Sequence, residues 1–156
     1  MRIHLMAVGT RMPGWVDAGF AHYRQRLPRE CALELIEVAL PKRGKALGLV
    51  RLRRIEGEAL LKAVPHGSRL VALAVEGQSW STASLASTLN GWLQDGRDVA
   101  LLVGGPDGLD EAVVRRAEVC WSLSPLTLPH ALVRIVVAEQ LYRAWSVLHN
   151  HPYHRA

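Results

Sequence analysis

Two cysteines, Cys31 and Cys120, are all that the 156-residue chain contains, and no CxxC spacing joins them. A zinc ribbon or a disulfide-stapled scaffold needs paired or closely spaced thiols, so both are disfavoured and reduced, buried thiols are expected. Long apolar runs are missing too. The strongest stretches, Val99 to Val103 and Ile135 to Ala138, fall far short of the ~20 residues that span a bilayer, and the first strand-like segment has no cleavable signal pattern. A cytoplasmic location without a membrane partner is the expectation. No internal repeat, linker or low-complexity tract is visible, and with 49% apolar and 21% charged residues the composition excludes disordered and collagen-like classes. A single domain over residues 1–156 is expected, long enough to bury its core without staples.

Nucleotide fingerprints are absent as well. No GxGxxG follows a strand and no GK[ST] closes a glycine loop, which weakens a nicotinamide oxidoreductase or a phosphate-loop enzyme. What is present is positive charge, +5 overall. It gathers in Arg24, Arg26 and Arg29, then Lys42, Arg43 and Lys45, then Arg51, Arg53 and Arg54, while Glu76 to Cys120 is neutral or mildly acidic. A phosphate-backbone contact surface built by the first third is one reading, and a solvated face serving solubility is the other.

Strand and helix signals alternate. Arg2 to Val8, Leu33 to Val38, Leu70 to Val75 and Val99 to Val103 read as apolar strands. Helical spacing recurs from Pro13 towards Pro28, through Leu49, Leu52, Ile55, Ala59 and Leu60, from a Ser81 or Thr82 cap to Trp92, and from about Ala131 to Leu148. Continuous apolar strands alternating with helices predict an α/β domain whose mostly parallel sheet carries helices on both faces. Ligands of such sheets bind beyond the carboxyl ends of strands, which nominates the turns after Val75 and Val103. The last helix is apolar nearly all round, so two buried faces are expected, the second most simply supplied by another subunit in a homodimer.

Three places carry candidate chemistry. Gly104-Gly105-Pro106-Asp107-Gly108 follows a strand and allows close approach of backbone N–H groups to a ligand, or is a plain turn. Leu123-Ser124-Pro125-Leu126-Thr127-Leu128-Pro129-His130 mixes apolar side chains with exposed backbone, as an adenine site needs, or is a loop that caps the helix. The tail His149-Asn150-His151-Pro152-Tyr153-His154-Arg155 is mobile, or it is an RNA contact in which Tyr153 stacks, Arg155 holds a phosphate and His154 moves a proton. A metal site from its histidines is disfavoured, since no carboxylate or cysteine joins them, and no metal is expected.

Gly104-Gly105-Pro106-Asp107-Gly108-Leu109, Trp121-Ser122-Leu123-Ser124 through His130, and Tyr142-Arg143-Ala144-Trp145 with the closing tail resemble the bacterial ribosomal large-subunit methyltransferase H family. Ala7-Val8-Gly9-Thr10 and Lys42-Arg43-Gly44-Lys45 match as well, so the resemblance runs end to end. It implies a SPOUT-type fold whose C-terminal segment threads a trefoil knot. It implies S-adenosylmethionine as methyl donor, lined by Leu73, Gly104, Leu123, Ser124, Pro125, Leu126, Thr127 and Leu128. It further implies methylation of N3 of a pseudouridine in a 23S rRNA hairpin on assembled ribosomes, by a homodimer. Pro125 stands at a position that varies within that family, so the resemblance implies no contact from its side chain. Tyr153, His154, Arg155 and Arg134 are the candidate RNA contacts, with His154 and His130 as possible proton carriers. The alternative is a non-catalytic ribosome-associated RNA-binding protein, which would have no cofactor affinity and would tolerate substitution at Gly104.

Overall fold

A computed structural model describes residues 1–40 and 48–155; the basic cluster Lys42, Arg43 and Lys45 lies outside them. Five strands, β1 (Arg2–Val8), β2 (Ala32–Val38), β3 (Arg69–Ser79), β4 (Val99–Val103) and β5 (Val119–Ser122), form one sheet in the order β2-β1-β4-β3-β5. Every neighbouring pair is parallel. The strands are joined through α1 (Gly14–Arg24), α2 (Leu49–Ala63), α3 (Thr82–Asp95) and α4 (Glu111–Arg116), and α5 (His130–Leu148) follows β5. Short 3₁₀ turns lie at Arg29–Cys31 and Pro152–Arg155.

Side chains alternate across a strand, so β1 feeds both faces. Ile3, Leu5 and Ala7 join Phe20 of α1, Leu85 and Leu89 of α3, and Val137 and Leu141 of α5 in one core. Met6 and Val8 point the other way, to Leu60 of α2, Leu102 of β4 and Val113 of α4. Coverage on both faces is why β4 reads as an unbroken apolar run: all five of its residues are buried. Burying each such Leu or Val side chain contributes roughly 1.5–3 kcal/mol.

Two elements differ from the expectation. The α3 helix is capped by Ser81, whose side chain accepts from the backbone N–H of Ser84 at 3.1 Å, and it runs past Trp92 to a left-handed Gly96 at φ 77°. The short α4 had no periodic signal, because six residues span fewer than two turns. The apolar girth of α5 is also partly explained within one chain. It packs against both α1 and α3, and Ile135 fills the space a Cβ on Gly19 would take, 2.7 Å from its Cδ1. The second buried face therefore needs less from a partner than periodicity suggested.

The amino-terminal edge of the sheet is electrically matched. Arg69 pairs with Asp95 and Glu118 at 3.1 Å, and Arg97 with Glu118 at 2.9 Å. Buried His4 sits between Glu34 at 3.5 Å and Asp98 at 3.4 Å.

Candidate cofactor site at the carboxyl edge

A cavity of about 1060 Å³ opens at the carboxyl ends of β3, β4 and β5, at the upper end of the range for small-molecule sites. Its walls come from three local features. The first is the turn after β4. A Cβ on Gly104 would lie 2.4 Å from the carbonyl carbon and oxygen of Gly108, so no side chain fits there without moving main chain. Gly108 N–H donates to the Gly105 carbonyl at 3.0 Å, and Gly108 takes φ 85°, which only glycine adopts without strain. Beneath the turn, the buried Glu56 carboxylate oxygens lie 3.2 and 3.3 Å from where a Gly105 Cβ would be.

The second wall is a break inside β3. Pairing with β5 holds from Val71 to Leu73, then shifts and resumes at Gln78, so the intervening residues leave the ladder as in a bulge. Ala74, Val75 and Glu76 face the cavity as a result. Gly77 makes the rejoining possible, since a Cβ there would sit 2.7 Å from the Cys120 carbonyl oxygen. The nominated turn after Val75 is thus this bulge rather than the end of the strand.

The loop between β5 and α5 forms the third wall. Its shape is set by Ser122 and Ser124: Ser122 Oγ donates to the Ser124 carbonyl at 3.1 Å, and Ser124 Oγ accepts from the Leu126 N–H at 3.0 Å. Leu123, Ser124, Leu126, Thr127, Leu128, and the first turn of α5 at His130 and Val133, line the cavity. Trp121 makes part of the floor, stacked on Trp80 at 5.1 Å. Leu73 and Gly104 line it too. Pro125 does not: it is exposed and absent from the lining, because the turn held by Ser124 carries its ring outward.

Arg134 also departs from its expected role as an RNA contact. Its side chain is 1% exposed, and its guanidinium donates to Glu37 and to the Gly9 carbonyl, each at 2.8 Å. Such a group ties α5 to the ends of β1 and β2 and cannot meet RNA from outside.

The tail turns back after α5 and packs along its second half. Tyr153 donates to Glu139 Oε1 at 2.9 Å, Arg143 Nε donates to the same oxygen at 2.9 Å, and the Arg143 guanidinium lies 5.0 Å over the Tyr153 ring. Burial, then the Glu139 carboxylate, raises the Tyr153 phenol above its usual range, so it stays a neutral donor. His154 is half-buried, with Nδ1 enclosed, and Arg155 is exposed. None of Tyr153, His154 and Arg155 lines the cavity. The tail's anchor, Glu139, lies in the middle of α5, roughly 14 Å along the helix from His130.

Sequence reasoning missed Arg53, Glu76, Glu111 and Arg115, all of which line the cavity. Only Gly77, a glycine within an apolar strand, signalled the bulge that brings Glu76 in. Cys120 lines the cavity as well, its thiol pKa raised by burial and then by Glu76; burial pushes Cys31 up to about 12. Among the described residues no group of three or more His, Cys, Asp or Glu is placed to hold a metal, and no helix is long and apolar enough to cross a membrane.

Comparison with known proteins agrees with this geometry. The family model described as "Predicted SPOUT methyltransferase" matches residues 1–154. A curated relative, the ribosomal RNA large subunit methyltransferase H of Thioalkalivibrio sulfidiphilus (strain HL-EbGR7), is 56% identical over 155 residues, 99% of each chain. A probable methyltransferase from Bordetella pertussis Tohama I superposes with a TM-score of 0.59 at 17% identity, over 91% of this chain and 93% of that one. A probable methylase family protein from Haemophilus influenzae Rd KW20 gives 0.59 at 13%, over 97% and 69%. With a family model spanning residues 1–154 and a relative more than half identical along its length, the chain belongs to the SPOUT methyltransferase family.

Proposed function

We propose that this protein transfers the methyl group of S-adenosylmethionine to N3 of a pseudouridine in a hairpin of 23S rRNA, as a cytoplasmic homodimer acting on assembled ribosomes. The observation that carries the reading is the Gly104 cradle, where a Cβ would collide with Gly108 at 2.4 Å beside a loop of mixed apolar and main-chain character. The name of the Thioalkalivibrio relative supports the substrate class.

The residues fit the donor molecule. Leu123, Leu126 and Leu128 supply apolar surface for an adenine ring, and the main chain of the same loop offers donors and acceptors for its edge. Gly104 and Gly105 let backbone approach closely. Bound there, S-adenosylmethionine supplies an activated methyl group on a sulfonium. The protein's work is then to align the accepting nitrogen, exclude water and accept a proton, since the N3–H imide must lose one on methylation. His154 is the candidate for that proton, and Arg155 for a phosphate of the nucleotide.

Tyr153, His154 and Arg155 lie outside the lining of their own cavity, with Tyr153 bound to Glu139 about 14 Å along α5 from His130, so the proposed chemistry takes the tail from a second copy. That separation supports a homodimer. The same reading includes the knotted threading of the C-terminal segment: after β5 at one edge of the sheet, α5 returns so that Arg134 meets Gly9 and Glu37 beyond the ends of β1 and β2.

Thermal shift with a panel of cofactors tests the reading, because a ligand that binds only the folded state raises its stability by mass action. S-adenosylmethionine and its demethylated product should raise Tm, and NAD and ATP should not. A response to none of them would leave the non-catalytic RNA-binding alternative.

A further inference from the structure

The arginines of this protein divide by edge of the sheet. At the amino edge Arg69 and Arg97 meet carboxylates at 2.9–3.1 Å. Near the carboxyl edge, Arg51, Arg53 and Arg54 of α2 and Arg115 of α4 make no ion pair among the described residues, although Glu56, Glu58 and Glu111 lie on the same two helices. All but Arg53 are exposed. Arg134, the paired exception near this edge, is buried and structural.

The two helices form one surface. Gly57 of α2 packs so close to α4 that a Cβ there would be 2.9 Å from Asp110 Cβ and Val113 Cγ2. Arg51 and Arg54 are three residues apart and share the outer side of α2, whereas Arg53 turns to the cavity, whose lining also takes Arg115 from α4. Unpaired guanidinium groups crowded on one surface repel one another, and a polyanion relieves that repulsion by releasing its own counterions. Arg also presents a planar fork that matches phosphate oxygens.

The geometry points to this band, Arg51, Arg53, Arg54 and Arg115, as the docking surface for the phosphate backbone of the RNA whose base enters the cavity. The inference rests on the proposed substrate class and adds which face of the protein the RNA crosses. An RNA strand fits better than an acidic protein, because the band is lined up with the mouth of a cavity of base-and-cofactor size rather than with an apolar patch.

The test compares wild type, the double variant R51Q/R54Q and the control R97Q. None of Arg51, Arg54 and Arg97 lines the cavity. Binding to ribosomes from a strain lacking the gene is measured by co-sedimentation from 50 to 200 mM salt at fixed magnesium. Each lost phosphate contact flattens the slope of log K against log salt by about 0.7–0.9 and is worth about five- to eightfold at 0.1 M salt. The double variant should therefore bind about 25- to 60-fold more weakly with a flatter slope, and R97Q should bind as wild type does. Unchanged binding by the double variant, or an equal loss in R97Q, overturns the inference. Displacement by polyglutamate as effective as by RNA at equal charge also overturns it, in favour of an acidic-protein surface. Thermal shift with S-adenosylmethionine on the same proteins separates the two levels: no response in wild type defeats the methyltransferase reading, while the ribosome-binding comparison judges the arginine band on its own.

Discussion

Arg134 and Glu37, 97 residues apart in the chain, meet at 2.8 Å and join the start of α5 to the end of β2. The second arm of the same guanidinium reaches the Gly9 carbonyl at 2.8 Å, so one side chain fixes three segments at the carboxyl edge. His130 and Val133, on the same first turn of α5, line the cavity. The pair thereby connects the packing of the helix to the shape of the site.

Replacing Arg134 by Ala strands Glu37 and leaves the Gly9 carbonyl without its donor. Breaking a buried pair costs about 3–5 kcal/mol, and the partial exposure of Glu37, 35%, lowers the expectation to about 2–3 kcal/mol. Urea denaturation should show that loss, together with weaker binding of S-adenosylmethionine. Full stability in the variant would contradict the structural role.

Gly104→Ala puts a methyl group 2.4 Å from the Gly108 carbonyl. The turn must shift, and because its later residues Pro106 and Gly108 are exposed and free to move outward, the chain should still fold. Calorimetry should find cofactor affinity down by more than tenfold with far-UV circular dichroism unchanged. Affinity equal to wild type would mean that the glycine turn does not touch the ligand.

Tyr153→Phe removes the hydrogen bond to Glu139 but keeps the ring. The net cost is about 1 kcal/mol, confined to the tail. Turnover should fall several-fold while cofactor affinity holds, since the tail lies away from the cavity of its own chain. Equal loss of both would count against a separate role for the tail.

Acid sensitivity should reside partly in Asp98. Its carboxyl is held below the usual carboxylate range, first by the backbone N–H of Arg2 at 2.8 Å and also by His4. A lowered folded-state pKa contributes stability that is present above the unfolded value near 4 and is lost as pH falls through the lower folded value. The stability gap between wild type and Asp98→Asn should be constant at neutral pH and shrink below about pH 4. A gap that widened on acidification would reverse the sign.

The parts of the architecture that were legible in the sequence have a simple origin. Strands buried on both faces must be apolar throughout, so β1 and β4 announce themselves, and Gly104 to Gly108 stands out because a tight turn after a buried strand needs glycine. The bulge from Ala74 to Gly77 was hidden, because the pairing of β3 with β5 is set by a partner 45 or so residues away. Arg134 was misread for a related reason: an arginine in an apolar helix looks like a functional charge until its two partners, Gly9 and Glu37, are known. Pro125 took its place in the expected lining from its neighbours in sequence, and the hydroxyl bonds of Ser122 and Ser124 turn it outward.

The central claim is most directly tested by incubating the purified protein with labelled S-adenosylmethionine and ribosomes from a strain lacking the gene, then analysing 23S rRNA hairpin fragments by mass spectrometry. The account predicts one labelled methyl group on a pseudouridine, at N3. An unlabelled pseudouridine in ribosomes to which the protein and its cofactor are shown to bind would contradict it.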